Sequence, residues 1–184
     1  MFSMFHKCKS LKSIDLLHFD TSSLEDMEYM FYGCSSLEYI NLTNFITSNI
    51  TTMRSLFEGC QSLKSININH FNFSKVVRMT KMFAGCSSLE SINLSNLKIN
   101  KLELIDGMFY NCSSLKTINL YNFKASNIIK MNNMFKGCKS LKSIDLSGFS
   151  TSKVSNMSNM FYGCSSFDKI NLTKFYTSSV EDMS

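Results

Sequence analysis

The chain has 184 residues, of which 44% are hydrophobic and 12% aromatic, and this composition excludes an intrinsically disordered protein. Its apolar runs are too short to cross a membrane. The formal net charge of +5 is modest and the lysines form no run along the sequence, so the charge pattern gives little support to nucleic-acid binding.

The cysteines define a repeating unit of 26 residues. An isoleucine follows every cysteine at a spacing of six residues, and a Met-Phe or Leu-Phe pair begins four residues before each one. Such self-similarity predicts a solenoid, in which every unit packs only on its neighbours. We predict one domain over residues 1–184, made of about seven stacked rungs, and we expect it to be a piece of a longer array because both termini fall inside a unit. The cysteines that set the register are Cys8, Cys34, Cys60, Cys86, Cys112, Cys138 and Cys164.

Each unit contains the pattern of a short strand. In residues 37–42, Ile40 and Leu42 are apolar and alternate with polar neighbours, as in a strand that is buried on one face. A similar segment occurs in every rung. We predict that these segments pair side by side in one parallel sheet.

A short helix is predicted after the strand and its turn. Ile50, Met53 and Phe57 recur at helical spacing and would place an apolar stripe on one face of the helix. Thr47 offers a hydroxyl for the N-cap, and Gly59 fits the left-handed residue that closes many helices. The predicted fold class is an α/β repeat solenoid with about seven 26-residue rungs, each made of a short parallel strand and a short helix.

The cysteine spacing argues against a metal site and against disulfides. A zinc site needs two ligands within a few residues of each other, as in C-x-x-C, and no such pair occurs in the sequence. Stacked rungs would point the thiols in the same direction, which is a poor geometry for a disulfide, and an odd number of cysteines cannot pair completely. We predict a column of reduced thiols that pack as small buried hydrophobic side chains, and no cofactor.

A column of aspartate and asparagine should project outward from the strands, because it lies between inward-facing isoleucine and leucine. The sequence favours a ladder in which these side chains bond to one another along the stack, and it leaves ligand binding open as the alternative. Asp15 and Asp145 interrupt the run of amides, so a specific ligand contact is more readily expected there. The column consists of Asp15, Asn41, Asn67, Asn93, Asn119, Asp145 and Asn171.

Two tyrosines differ from their neighbours at the positions that flank this column. Most flanking residues are small and polar, whereas Tyr39 and Tyr121 offer a large contact area at a small entropic cost. They are either aromatic anchors of a binding surface or ordinary surface tyrosines. The sequence does not decide between these two interpretations.

No catalytic constellation is present in the sequence pattern. His6, His18 and His70 occupy two different positions of the repeat, and none has a nucleophile and a carboxylate fixed beside it by the register. The sequence also lacks a phosphate-binding loop. We therefore predict that the protein is not an enzyme.

The repeat unit resembles those of a known family. The segment L-x-x-I-x-L resembles the strand motif of leucine-rich repeats, although phenylalanine replaces the asparagine that usually follows. The whole unit, with its Met-Phe-x-Gly-Cys-x-Ser-Leu junction, resembles the BspA-like leucine-rich-repeat surface proteins of bacteria and protists, including mycoplasma-type lipoproteins. The resemblance covers the entire chain. It implies a leucine-rich-repeat-like solenoid and a surface-exposed protein that binds ligands or adheres, without catalysis.

The resemblance and the outward positions together predict a function. We expect a non-catalytic protein-interaction or adhesion module at the cell surface or outside the cell, although this chain carries no targeting signal. Its partner would be a protein or another surface macromolecule, with no nucleic acid and no direct membrane insertion, and end-to-end or lateral packing with other chains remains open. The alternative is a structural spacer or assembly component without a specific ligand. The candidate partner-binding residues are Asp15, Tyr39, Asn41, Asn67, Asn93, Asn119, Tyr121 and Asp145.

Overall fold

The computed structural model describes residues 1–172 and 175–184, and these residues form a stack of 26-residue rungs. Six three-residue strands pair in parallel as β1 with β2, β3 with β4, and β5 with β6. Residues opposite each other in a pair are 26 positions apart, as Ile14 and Ile40 are in the first pair. The strands are β1 Ser13–Asp15, β2 Tyr39–Asn41, β3 Ser91–Asn93, β4 Thr117–Asn119, β5 Ser143–Asp145 and β6 Lys169–Asn171.

The prediction that the strands of all rungs form one continuous parallel sheet is wrong. The sheets are three separate pairs of strands, and residues 65–67, which correspond to the strand of the third rung, are not assigned to a strand. A more continuous ladder lies elsewhere on the rung. There, single parallel bridges join each rung to the next along the length of the stack, through Asp26, Thr52, Arg78, Leu104, Lys130, Asn156 and Asp182.

The prediction of a short helix in each rung is also wrong, because the described part of the chain contains turns and no helix. In the second rung the amide of Phe31 donates to the carbonyl of Leu56 in the next rung at 3.0 Å, and the amide of Gly33 donates to that of Glu58 at 2.7 Å. The amide of Tyr32 between them bonds within its own rung, to the carbonyl of Tyr29 three residues back. An α-helix needs every amide for its own i−4 carbonyl, so this alternation replaces the helix by bonds between rungs.

Two left-handed backbone positions in each rung produce this alternation. In the second rung they are Tyr29, with φ of 57°, and Gly33, with φ of 69°. Gly59, predicted to be left-handed, has φ of 78°, and Asn111 replaces glycine at the same position with φ of 56°. Because a right-handed helix cannot contain such residues in its interior, the chain turns twice and stays in register with its neighbours.

The core lies inside the stack and contains the residues that the predicted helix would have buried. Ile50, Met53, Leu56 and Phe57 are all fully buried, so the inward face of this segment was predicted correctly although its backbone was not. Phe57 belongs to a column of nearly parallel phenyl rings whose centroids are 5.3–5.8 Å apart. The column extends from Phe5 to Phe161 and joins all seven rungs in one apolar core.

The cysteines form a second column beside the phenyl rings, and none of them is in a disulfide. Each thiol from the second rung onward donates to the carbonyl of a phenylalanine in the rung before it, as Cys86 does to Phe57 at 3.2 Å. Burial raises the pKa of the Cys86 thiol well above its ordinary value, and raises that of Cys112 to about 12. The buried thiols are therefore neutral, hydrogen-bonded packing groups.

The threonine that was expected to cap a helix instead joins adjacent rungs. The hydroxyl oxygen of Thr47 accepts the amide of Asn72 at 2.7 Å, and Thr21 accepts that of Ile46 in the same way at 2.8 Å. Both threonine side chains are buried. A search for a helix that could cross a bilayer finds none among the described residues.

Candidate interaction surface

From Asp15 to Asp145, the aspartate and asparagine column closes a turn in each rung. The Oδ1 atom of Asn93 accepts the amide of Ser95 at 3.0 Å, and Asp15 accepts that of Leu17 at 3.0 Å. Both residue types offer this oxygen, which explains why either aspartate or asparagine can occupy the column. The oxygen thus bonds within its own rung, whereas the sequence suggested bonds along the stack.

The outer sides of these residues face solvent. Asp15, Asn67, Asn93, Asn119 and Asp145 are exposed. Asn41 is the exception, because it is half-buried. Its Oδ1 also accepts a hydrogen bond from the Thr43 hydroxyl at 2.7 Å. The column therefore presents a row of polar side chains whose orientations are fixed by the turns, and a partner could contact it without any rearrangement of the backbone.

Tyr39 and Tyr121 are the large exposed side chains at this column. Tyr39 lies in β2 and is 61% exposed, and Tyr121 follows β4 and is 75% exposed. They lie three rungs apart, which corresponds to about 14 Å at the usual strand spacing. They also lie on opposite sides of the column, so the structure places them at two ends of one polar surface and does not bring them into one cluster. We call Tyr39, Tyr121 and the polar column between them the outer face.

An aromatic patch near the start of the chain was not predicted. His6 stacks on Tyr32 with ring centroids 4.8 Å apart, and Phe2 meets Tyr29 edge-on at 5.9 Å. The guanidinium carbon of Arg54 lies 5.5 Å from the centre of the Tyr29 ring. A helix would not have placed these side chains together. In the sequence, the spacing of Tyr29 and Tyr32 was the available signal for this patch. It indicates that the two rings lie together only once the two left-handed positions of the rung are known.

A groove runs beside this patch over the left-handed glycines. Gly33, Gly59 and Gly85 are its floor, because they leave the surface of three adjacent rungs without side chains. Tyr32 and Tyr110 lie in its walls, and its volume is about 540 Å³. The groove is open to solvent and nothing in it identifies a ligand.

The charged and titratable groups do not assemble a reactive centre in the part of the chain that the structure describes. No group of three or more His, Cys, Asp or Glu side chains is placed to hold a metal ion within residues 1–172 and 175–184. The salt bridge found among the described residues joins Lys116 Nζ to Glu90 Oε2 at 2.8 Å. The hydrogen bond from Lys116 lowers the pKa of the Glu90 carboxyl. Both side chains are exposed, so this pair contributes little to stability.

The repeat sequence matches a known protein family. A family model described as "Mycoplasma protein of unknown function, DUF285" matches residues 1–117, 33–144 and 92–184, which together include the whole chain. The chain belongs to this family. A search of curated proteins finds no match.

Solved structures show that this DUF285 chain has a leucine-rich-repeat fold. A leucine-rich repeat protein of T. pallidum is 21% identical with a TM-score of 0.60, and the match covers 91% of this chain and 70% of that one. A leucine-rich repeat protein of Eubacterium ventriosum is 26% identical with a TM-score of 0.52, and the match covers 78% of this chain and 34% of that one. The resemblance to BspA-like leucine-rich-repeat proteins is confirmed by the family match and these structures.

Proposed function

We propose that this DUF285 chain is a non-catalytic interaction module of a cell-surface protein, and that it binds a protein partner through the outer face. The observation that carries the proposal is the exposure of Tyr39 and Tyr121, at 61% and 75%, on a frame of buried, stacked rungs. Exposed tyrosines on a rigid frame lose little entropy on binding and are enriched in the parts of interfaces that contribute most to affinity. The surface location rests on the family resemblance.

The shape of the outer face favours a macromolecular partner. Its polar column is exposed along several rungs, whereas small molecules are bound in concave sites that enclose most of their surface. Solenoids commonly bind partners across several repeats at once. Adhesion is the form of binding that we propose, because the family resemblance implies a surface protein.

A structural spacer is the second candidate. The observation in its favour is that Asp15, Asn93 and Asp145 have a structural task, since each accepts an amide of its own rung at 2.8–3.0 Å. Under this alternative the polar column exists to close turns and the tyrosines are incidental.

The experiment compares binding to intact animal cells. A dye-labelled chain is titrated onto cells with and without prior protease treatment, and the Tyr39→Ala, Tyr121→Ala double variant is titrated in parallel. Loss of two aromatic anchors should weaken binding by about tenfold or more, because truncating an anchor typically costs above about 1 kcal/mol. Protease treatment should abolish binding of the unmodified chain if the partner is a protein.

The control is Tyr176→Ala, because Tyr176 is 63% exposed but lies away from the outer face. This variant should bind like the unmodified chain, and all three proteins should have the same thermal midpoint. Equal binding by the double variant and the unmodified chain would exclude the outer face and favour the spacer. Binding that survives protease treatment would exclude a protein partner.

A further inference from the structure

The charge of the chain is unevenly distributed along the stack. Residues 1–106 contain ten basic and ten acidic side chains, so they are neutral as a group. Residues 107–167 contain seven lysines and one acidic residue, Asp145. We call residues 107–167, whose lysines all belong to the fifth and sixth rungs, the basic segment. It holds more positive charge than the net +5 of the entire chain.

The repeat register shows where the neutralising charges are lost. At the position before each strand, lysine and glutamate alternate through the first four rungs as Lys12, Glu38, Lys64 and Glu90. The next two rungs carry Lys116 and then Lys142, so two lysines are adjacent in the column before an acidic residue returns at Asp168 in the seventh rung. Lys116 still pairs with Glu90 at 2.8 Å, on the side away from Lys142. Both lysines are exposed.

Other lysines of the basic segment are held in place by neutral partners. Lys153 Nζ donates to Asn127 Oδ1 at 2.8 Å, and Lys136 Nζ lies 4.9 Å from the centre of the Tyr162 ring. Lys139 is exposed beside the half-buried Lys136. These contacts orient the ammonium groups without cancelling their charge. The positive potential around the fifth and sixth rungs is therefore available to a ligand.

We propose that the basic segment binds a linear polyanion, and that this polyanion is a sulfated polysaccharide. The lysines stand at several positions around the rung, so a flexible chain can follow them, whereas a flat membrane would reach those on one side only. The segment contains no arginine, which is the side chain best suited to grip phosphates and bases with two parallel hydrogen bonds. This binding goes beyond the proposed function, and none of the lysines that carry it belongs to the outer face.

The chain provides a matched control for the experiment. The test variant replaces Lys116, Lys139, Lys142 and Lys153 with glutamine. The control variant replaces the lysines at the same repeat positions in the neutral half, which are Lys9, Lys12, Lys64 and Lys75. Lys75 even repeats the contact of Lys153, since its Nζ donates to Asn49 Oδ1 at 2.8 Å. Both variants remove four charges from exposed sites, and the test variant also removes the Lys116–Glu90 salt bridge.

Binding to heparin is measured by titration at several salt concentrations. The unmodified chain should bind at low salt and lose affinity as salt rises, because binding releases counterions. The test variant should bind about tenfold or more weakly, and the slope of log Kd against log salt should fall by about one for each contacting lysine removed. The control variant should stay within about twofold of the unmodified chain. Tyr39→Ala and Tyr121→Ala should leave heparin binding unchanged, which separates this proposal from the outer face.

Four results would overturn the proposal. An equal loss in the test and control variants would mean that net charge alone attracts heparin. Absence of heparin binding by the unmodified chain at low salt would exclude the site. Tighter binding to single-stranded DNA or to anionic vesicles than to heparin would exclude a sulfated polysaccharide as the partner. If the test variant unfolds, Lys142→Glu, which separates the two adjacent lysines by reversing one charge, should still weaken heparin binding, and unchanged binding by it would also overturn the proposal.

Discussion

Replacing Lys81 with glycine distinguishes the observed turn from a helix. Lys81 is exposed and has φ of 54°, and its amide donates to the carbonyl of Asp106 at 3.0 Å, a bond that glycine retains. A left-handed non-glycine residue costs about 1–2 kcal/mol. Glycine removes this cost but loses about 0.5–1 kcal/mol through the greater freedom of the unfolded chain. The substitution should therefore raise the free energy of unfolding by about 0.5–1 kcal/mol.

The assay is urea unfolding followed by circular dichroism, with Lys98→Gly as the control. Lys98 is also exposed but is not among the residues with positive φ, so its replacement should lower the free energy of unfolding by about 0.5–1 kcal/mol. If Lys81 lay inside a helix, Lys81→Gly would instead lower the free energy of unfolding by about 1 kcal/mol. A Lys81→Gly variant that is destabilised as much as Lys98→Gly would refute the turn.

Three further predictions concern the buried columns. Phe83 is fully buried between two phenyl rings whose centroids lie at 5.6 and 5.7 Å, so Phe83→Ala should lower the free energy of unfolding by about 3–5 kcal/mol in urea, and the same change at the partly buried Phe5 should cost less; equal costs would contradict the packing. Burial raises the pKa of the Cys34 and Cys164 thiols from 9.0 to about 11, so the unfolded chain loses these protons first and stability should be constant below about pH 9 and fall towards pH 11. A thiol reagent should label buried Cys86 only after unfolding, and rapid labelling of the native protein would contradict the thiol column.

The sequence predicted the register and the core because both depend on which side chains are apolar. The 26-residue period and the inward positions of Met53 and Phe57 follow from that pattern alone. The predicted helix is absent from the residues that the structure describes. The pattern misled because a turning segment that buries the same residues also produces an apolar stripe at helical spacing. The decisive feature is the left-handed backbone at Tyr29 and Lys81, and neither residue type signals it.

The sequence predicted which residues of the outer face are exposed, but it did not predict their hydrogen bonds. Tyr39 and Tyr121 are exposed where the strand alternation placed them. The Asn93 oxygen bonds to its own rung, and the sequence could not show this because aspartate and asparagine suit both a ladder and a turn. The contrast between the neutral half and the basic segment is visible in the sequence only after the lysines are assigned to rungs, because they are separated along the chain.

The most direct test of the stacked-rung structure is an NMR measurement of scalar coupling across hydrogen bonds. The amide nitrogen of Phe31 should couple to the carbonyl carbon of Leu56, 25 residues later in the chain, because that bond is 3.0 Å long in the structure. Finding this coupling, and its equivalent between Phe57 and Met82, would establish that the rungs bond to each other. Coupling of the Phe31 amide to the carbonyl of Met27, as in an α-helix, would contradict the structure.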